Sequence, residues 1–195
     1  MNCIADSPIK LLLNTLFLLA CTLLVCRCTA PQQQVTVEPT YNPAVKKLLA
    51  SETGLFRAAN LGMSVEEVKG VEKEQKTEEE ETDYLFYSLD FKDTLKANYY
   101  YSFDEGLDEI GVDVFREKSK DIDWLFNQLK TYYTKHYGSP KEESGLLIWY
   151  VKNQGKEGAE ITLSDESGDY GYGKLTLTFF PFQTAVDPKA KDKNP

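Results

Sequence analysis

Apolar and polar positions alternate with period two over several stretches of the chain and fall at helical spacing over others. From Tyr84 to Phe91 the apolar set is Leu85, Tyr87, Leu89 and Phe91. From Leu95 to Phe103 it is Leu95, Ala97, Tyr99, Tyr101 and Phe103, with Lys96, Asn98 and Ser102 opposite. Such alternation predicts strands that turn one face to a core. Lys92-Asp93-Thr94 and Asp104-Glu105-Gly106 are hairpin-length links. Leu107 to Phe115 completes a meander, its phase slipping between Leu107 and Ile110 as a bulge near Gly111 would cause. Later strands are predicted over Leu146 to Lys152, Ala159 to Leu163 and Lys174 to Phe180. The first of these is apolar on both faces and so reads as central.

Three helices are predicted. Asn42-Pro43 precedes AVKKLLASE, which puts proline at a first helical position where its missing N–H is no loss. Ser64-Val65-Glu66-Glu67 is a capping box, with Gly70 as a stop. The longest helix runs from Asp121 to Tyr137 with Ile122, Leu125, Phe126, Leu129, Tyr133 and His136 at helical spacing, ended by Gly138 and Pro140. The charge run Glu72 to Glu81 reads as a solvated loop or a frayed helix face rather than a metal site, since contiguous like charges repel and keep their water. The order of helix, three strands, helix, three strands predicts an α+β domain. Its antiparallel β-meanders would carry helices packed on one face, with a helix-plus-three-strand repeat.

Cysteine use sets the N-terminus apart: Cys3, Cys21, Cys26 and Cys28 are the only cysteines of the chain, so the folded region has no disulfide. Leu11 to Cys26 is an apolar run between Lys10 and Arg27, so residues 1–28 read as a signal peptide or N-terminal membrane anchor. As a helix this run spans about 24 Å, short of the roughly 30 Å hydrocarbon core of a bilayer. Leu18-Leu19-Ala20-Cys21 resembles a bacterial lipoprotein signal and makes Cys21 the lipidation candidate. An uncleaved signal-anchor and a plain cleaved signal stay open as alternatives. Residues 29–42 read as a flexible tether, 43–186 as a single domain and 187–195 as a disordered tail. Taking away residues 1–28 removes Lys10, Arg27 and Asp6 and leaves 20 basic and 30 acidic residues, net −10. A nucleic-acid partner is excluded on that balance, because phosphate binding draws its affinity from Lys and Arg.

The segments Leu61-Gly62-Met63-Ser64-Val65-Glu66-Glu67-Val68, Tyr84-Leu85-Phe86-Tyr87 and Tyr101-Ser102-Phe103-Asp104-Glu105-Gly106-Leu107 are echoed later by Tyr137-Gly138-Ser139-Pro140 and Ile161-Thr162-Leu163. They resemble the helix and hairpins of the SmpA/OmlA small outer-membrane lipoproteins and the β-lactamase-inhibitor-like fold. The pattern departs at the first helix end, where Val71-Glu72-Lys73 stands in place of the usual Gly-x-Pro, and in the acidic insertion that follows. The resemblance implies an envelope protein that binds other proteins, with no family catalytic residue to carry over.

Candidate chemistry is sparse. One histidine and no cysteine in the folded part exclude a Cys-His pair and a His-rich zinc site. His136, in the last turn of its helix, reads as a charge-dipole partner. Asp104, Glu105, Asp108 and Glu109 gather at one hairpin, and Asp165, Glu166 and Asp169 at another loop. Paired carboxylates suit glycosidic acid/base work, but turns also select Asp for backbone reasons. Asp165, Ser167 and Asp169 imitate the start of an EF-hand, which Tyr170 and Thr176 then break by occupying the glycine and bidentate-glutamate positions. No metal site or cofactor is predicted. Tyr170 and Tyr172 on a Gly-rich hairpin, with Tyr100 on the polar face of its strand, are the candidate binding surface, because tyrosine gives large contact area at small entropy cost. Cross-strand packing is the structural alternative for all three. The expectation is a non-catalytic, extracytoplasmic bacterial cell-envelope lipoprotein, joined to the membrane by its N-terminal anchor and binding an envelope protein. The alternative is a secreted or anchored carboxylate-dependent hydrolase, or a glycan- or ligand-binding domain with its aromatic strands around a pocket.

Overall fold

A computed structural model describes residues 40–92, 94–117, 121–152 and 158–182. Cys21, the N-terminal anchor, most of the tether and the 187–195 tail lie outside these described residues. Helix α1 (Pro43–Leu49) begins where the sequence indicates, the Asn42 side chain accepting from the Ala44 N–H at 2.8 Å. Tyr41 and Asn42, assigned above to the tether, belong to the fold: Tyr41 packs edge-on to Tyr132 and the Asn42 N–H donates to Gln128. Helix α2 (Val65–Val71) carries the expected capping box, with the Ser64 N–H donating to Glu67 at 2.8 Å and the Glu67 N–H to Ser64 at 3.3 Å. It does not stop at Gly70, which keeps an ordinary helical backbone. Glu72 caps the helix instead, its N–H donating to the Val68 carbonyl.

Helix α3 (Asp123–Tyr137) ends at Gly138, whose φ of 87° takes the chain out of the helix at a value only glycine adopts without strain. Its buried stripe is Leu125, Leu129, Tyr132 and Tyr133, preceded by Ile122. His136, expected on that stripe, is exposed. Tyr132 fills the space and the imidazole rests against its ring, with centroids 4.2 Å apart.

The strands are β1 (Glu79–Glu81), β2 (Tyr84–Asp90), β3 (Leu95–Phe103), β4 (Leu107–Arg116), β5 (Lys141–Glu143), β6 (Leu146–Val151), β7 (Gly158–Asp165) and β8 (Gly173–Phe182). They form one eight-stranded antiparallel sheet in the order β1-β2-β3-β4-β8-β7-β6-β5. The architecture is mixed α+β and mostly sheet. Three expectations are corrected. The acidic run is not all loop, since Glu79 to Glu81 pair with β2 as an edge strand. Strand β6 is second from an edge rather than central, and its apolar outer face reflects Ile148, buried at 7% exposure. The register shift lies at Ser102/Phe103, opposite Asp108, whereas Gly111 pairs regularly with Tyr100.

Cross-strand register builds the core in rows. Leu85, Tyr101, Ile110, Phe179, Ile161 and Trp149 form one row, and Tyr87, Tyr99, Val112, Leu177, Leu163 and Leu147 the next. All are buried, and the helices bring Val45, Leu48, Leu49, Val68, Leu125, Leu129 and Tyr133 into the same cluster. Tyr133 of α3 reaches both Trp149 and Phe179. Each fully buried aromatic or aliphatic side chain contributes about 1.5–3 kcal/mol. The two edges of the sheet are three-residue strands whose side chains are all exposed, Glu-Glu-Glu and Lys-Glu-Glu. Short charged edges oppose pairing with another chain's strand.

Candidate functional site

The sheet residues that alternate with the core rows form a second face. Helix α1 reaches it at the end of β2, where the Lys47 ammonium donates to the Asp90 carbonyl at 2.7 Å. Its floor is polar and internally bonded. Ser88 donates to Asn98 at 3.0 Å, Thr176 to Asp113 at 2.8 Å, and the Thr162 and Thr178 hydroxyls bond to each other. Three aromatic groups stand on this floor.

The first group lies at the β1–β3 corner. Tyr84 and Tyr100 stack with centroids 5.6 Å apart, Phe86 pairs across from Tyr100, and the Tyr100 hydroxyl donates to Glu109. Gly111 allows this, because a Cβ there would sit 2.1 Å from the Tyr100 ring, which lies directly over the glycine. Burial and the bond to Glu109 push the Tyr100 hydroxyl pKa well above its ordinary value.

The second group is at the other end of β4. Tyr172 packs against Phe115 at 6.0 Å and against Tyr170 at 5.3 Å. The Lys174 ammonium sits 4.8 Å from the Tyr170 ring centre, 2.8 Å from Glu166 and 3.7 Å from Asp113. The third group is Tyr150 and Phe182, with ring centroids 4.6 Å apart, beside Phe180. Tyr150, Phe180 and Tyr170 are each exposed by about two fifths, and with Val71 they are the exposed large apolar residues of the described fold.

The structure therefore brings all three candidate tyrosines to one side of the sheet, though not to one spot. Tyr100 belongs to the first group, while Tyr170 and Tyr172 belong to the second. Each also makes the ring contacts of the structural alternative.

A second polar arrangement lies on the covered side, where the pattern of residues did not foretell it. Glu72, read as the start of a solvated run, is 2% exposed. It accepts from Arg57 Nε at 2.8 and 3.1 Å, from the Tyr101 hydroxyl at 2.6 Å and from the Tyr99 hydroxyl at 3.3 Å. Arg57 also donates to the carbonyls of Lys47 and Leu48 at the end of α1, and its guanidinium lies over the Tyr99 ring at 5.1 Å. Burial alone would lower the Arg57 pKa, but its bond to Glu72 and that carboxylate's charge raise it. With every charge answered, the cluster ties the 50–60 loop, α1, α2 and β3 together. Its signal was one Arg and one Glu 15 residues apart, which only the fold joins.

The remaining candidates are dispersed. His136 Nδ1 lies 2.8 Å from the Tyr132 carbonyl oxygen, on the helix side. Asp104 and Glu105 are exposed, Glu109 is bound to Tyr100, Asp165 accepts from the Ser167 N–H at 2.9 Å and Glu166 is bound to Lys174. Among the described residues no group of three or more His, Cys, Asp or Glu is placed to hold a metal ion. Tyr99 and Tyr101, on the core-facing side of their strand, are packed inside the core and line no pocket among the described residues. A half-open depression of about 230 Å³ lies between α1 and α3, lined by Tyr41, Val45, Leu49, Glu52 and Tyr132 among others. No described helix is long and apolar enough to cross a membrane. No protein-family model, curated protein or solved structure matches the chain.

Proposed function

We propose that the chain is a non-catalytic lipoprotein of the bacterial cell envelope, anchored through Cys21, which docks another envelope protein on the uncovered face of its sheet. The observation that carries this reading is the set of three aromatic groups on that face, two of them with rings exposed by about two fifths. Large, rigid, amphipathic side chains over a self-satisfied polar floor suit a protein contact, since little has to be desolvated without compensation. The charged edges disfavour strand addition, which leaves the face as the available surface. The described elements run as two helices, four strands, one helix and four strands, in place of the expected helix-plus-three-strand repeat, and the α+β sheet with its helices is compatible with kinship to the SmpA/OmlA and β-lactamase-inhibitor-like fold. Glu109, Asp113 and Glu166 on the face are already bound by Tyr100, Thr176 and Lys174, which weighs against an acid/base hydrolase built on them.

The test is photo-cross-linking in the native envelope. A photoreactive residue in place of Ser88 or Tyr150 should capture one discrete partner, and the same residue in place of Asn127 on α3 should not. Equal capture from both sides, or none from the sheet face, overturns the docking reading. The mass of the mature N-terminus checks the anchor separately. A lipid increment on a chain beginning at Cys21, absent from Cys21→Ala, is expected, and an unmodified N-terminus removes it.

A further inference from the structure

The molecule builds one constellation repeatedly: a tyrosine ring and carboxylates with a cation between them. In the core Arg57 lies over Tyr99 and on Glu72. On the open face Lys174 lies over Tyr170 and on Glu166 and Asp113. The β1–β3 corner has the same parts except the cation. Register puts Glu79 beside Phe86 and Glu81 beside Tyr84 on the open face, with Glu80 pointing the other way to Lys69 at 2.6 Å. Glu109 holds Tyr100 from the far side. Burial, Glu79, Glu109 and Glu81 together raise the Tyr84 hydroxyl pKa, so all three carboxylates act on one ring. Among the described residues no Lys or Arg forms an ion pair with Glu79, Glu81 or Glu109.

We infer that this corner, formed by Tyr84, Phe86 and Tyr100 with Glu79, Glu81 and Glu109, takes a basic side chain of the docked partner, arginine in preference to lysine. The inference rests on the docking reading above and names the chemistry of the partner's contact. A planar guanidinium can stack on a ring and donate to carboxylates at its rim at the same time, which a compact ammonium does less well. Its rings are half-buried and Glu79 and Glu81 are exposed, so it suits a side chain presented by a protein surface rather than an enclosed small molecule.

The probe is a fluorescent Arg-Gly repeat peptide titrated into the full chain in detergent micelles, with Lys-Gly and Gln-Gly repeats as counterparts. Arg-Gly should bind more tightly than Lys-Gly, and Gln-Gly should not bind. The double change Glu79→Gln and Glu81→Gln should weaken Arg-Gly binding about tenfold, and Tyr84→Leu about threefold. The matched change Glu142→Gln and Glu143→Gln at the opposite edge should leave it within about twofold. Equal loss in both charge pairs would mean diffuse attraction to an acidic chain and overturns the inference, as does equal binding of Gln-Gly or no binding of Arg-Gly. A cross-linked partner combined with no Arg-Gly binding sinks the corner's cation preference and leaves the docking reading standing. Site-specific Arg-Gly binding without a cross-linked partner does the reverse.

Discussion

Two carboxylates answer to neighbouring residues of one strand and meet opposite fates. Tyr99 and Tyr101 point from β3 into the core and donate to Glu72, whereas Tyr100 points outward and donates to Glu109. Inside, an arginine completes the set and three separate segments are fastened by it. Outside, no described cation does. A carboxylate that must leave water has to be matched by the chain itself, because an unanswered buried charge costs several kcal/mol. One at the surface can keep its water and wait. The same residue types thus give a structural fastening on one side and a candidate contact on the other, and the pleat of one strand decides which.

Alkali tests the contrast most severely. The folded-state pKa values of Tyr99, Tyr101 and Tyr133 lie above the ordinary 10, mainly through burial, and that of Tyr132 rises to about 12. A raised pKa means that the fold favours the protonated phenol. Its stabilisation is complete below pH 10 and is lost as pH climbs from there through the folded-state values. The melting temperature should therefore fall steeply above pH 10, with tyrosinate absorbance from the inner rings appearing only as the chain unfolds. Core tyrosines that titrate smoothly in the folded protein would contradict their burial.

Next in size is Glu72→Ala, which strands Arg57 in the core and should cost about 3–5 kcal/mol by chemical denaturation. Replacing both partners with apolar residues, Arg57→Met with Glu72→Leu, should cost clearly less than that. If the pair costs as much as the single change, Arg57 is not the source of the penalty. Tyr101→Phe removes a donor to a buried charge and should cost about 1.5–3 kcal/mol. Gly111→Ala should cost about 1 kcal/mol, since the Tyr100 ring can swing toward solvent, but it breaks the stack on Tyr84. The readout is loss of ring-current shifts at Tyr84. Tyr100→Phe is the smallest, within about 0.5 kcal/mol, because water replaces the phenol at Glu109. A cost near that of Tyr101→Phe would erase the distinction between the two faces.

What could be read from the sequence was what depends on near neighbours. The period-two rows of β2 and β3, the Ser64–Glu67 box and the Gly138 exit are local, and they appear where the pattern put them. Parity alone also told that Tyr100 opposes Tyr99 and Tyr101. What escaped was non-local. Arg57 and Glu72 become partners only after α1, α2 and β3 have assembled, and within Glu72 to Glu81 nothing marked the first glutamate as different from the rest. The phase slip between Leu107 and Ile110 marks the bulge, but the pattern alone does not say which residue of that stretch is extra, and it points near Gly111. Gly111 is instead occupied by the ring above it, and the extra residue is Asp108. Strand β6 looked central because hydrophobicity reports cover on both faces, not the number of strands alongside. The gathering of Tyr84, Phe86 and Tyr100 with Glu79, Glu81 and Glu109 needed the pairing of β1 with β2, which a run of charges conceals.

Strand β8, the eighth in chain order, lies at the middle of the sheet, where Val112 of β4 meets Leu177. Until Gly173–Phe182 has been synthesised, the two meanders have no seam between them. Each ends in an unpaired strand, β4 on one side and β7 on the other, both rich in Val, Ile and Leu on their buried face. A ribosome that stalls before this segment releases two sticky half-sheets rather than a shortened protein. Cooperative folding waits for residues 173–182, and any truncation upstream of Gly173 should yield inclusion bodies or rapid proteolysis instead of a smaller domain.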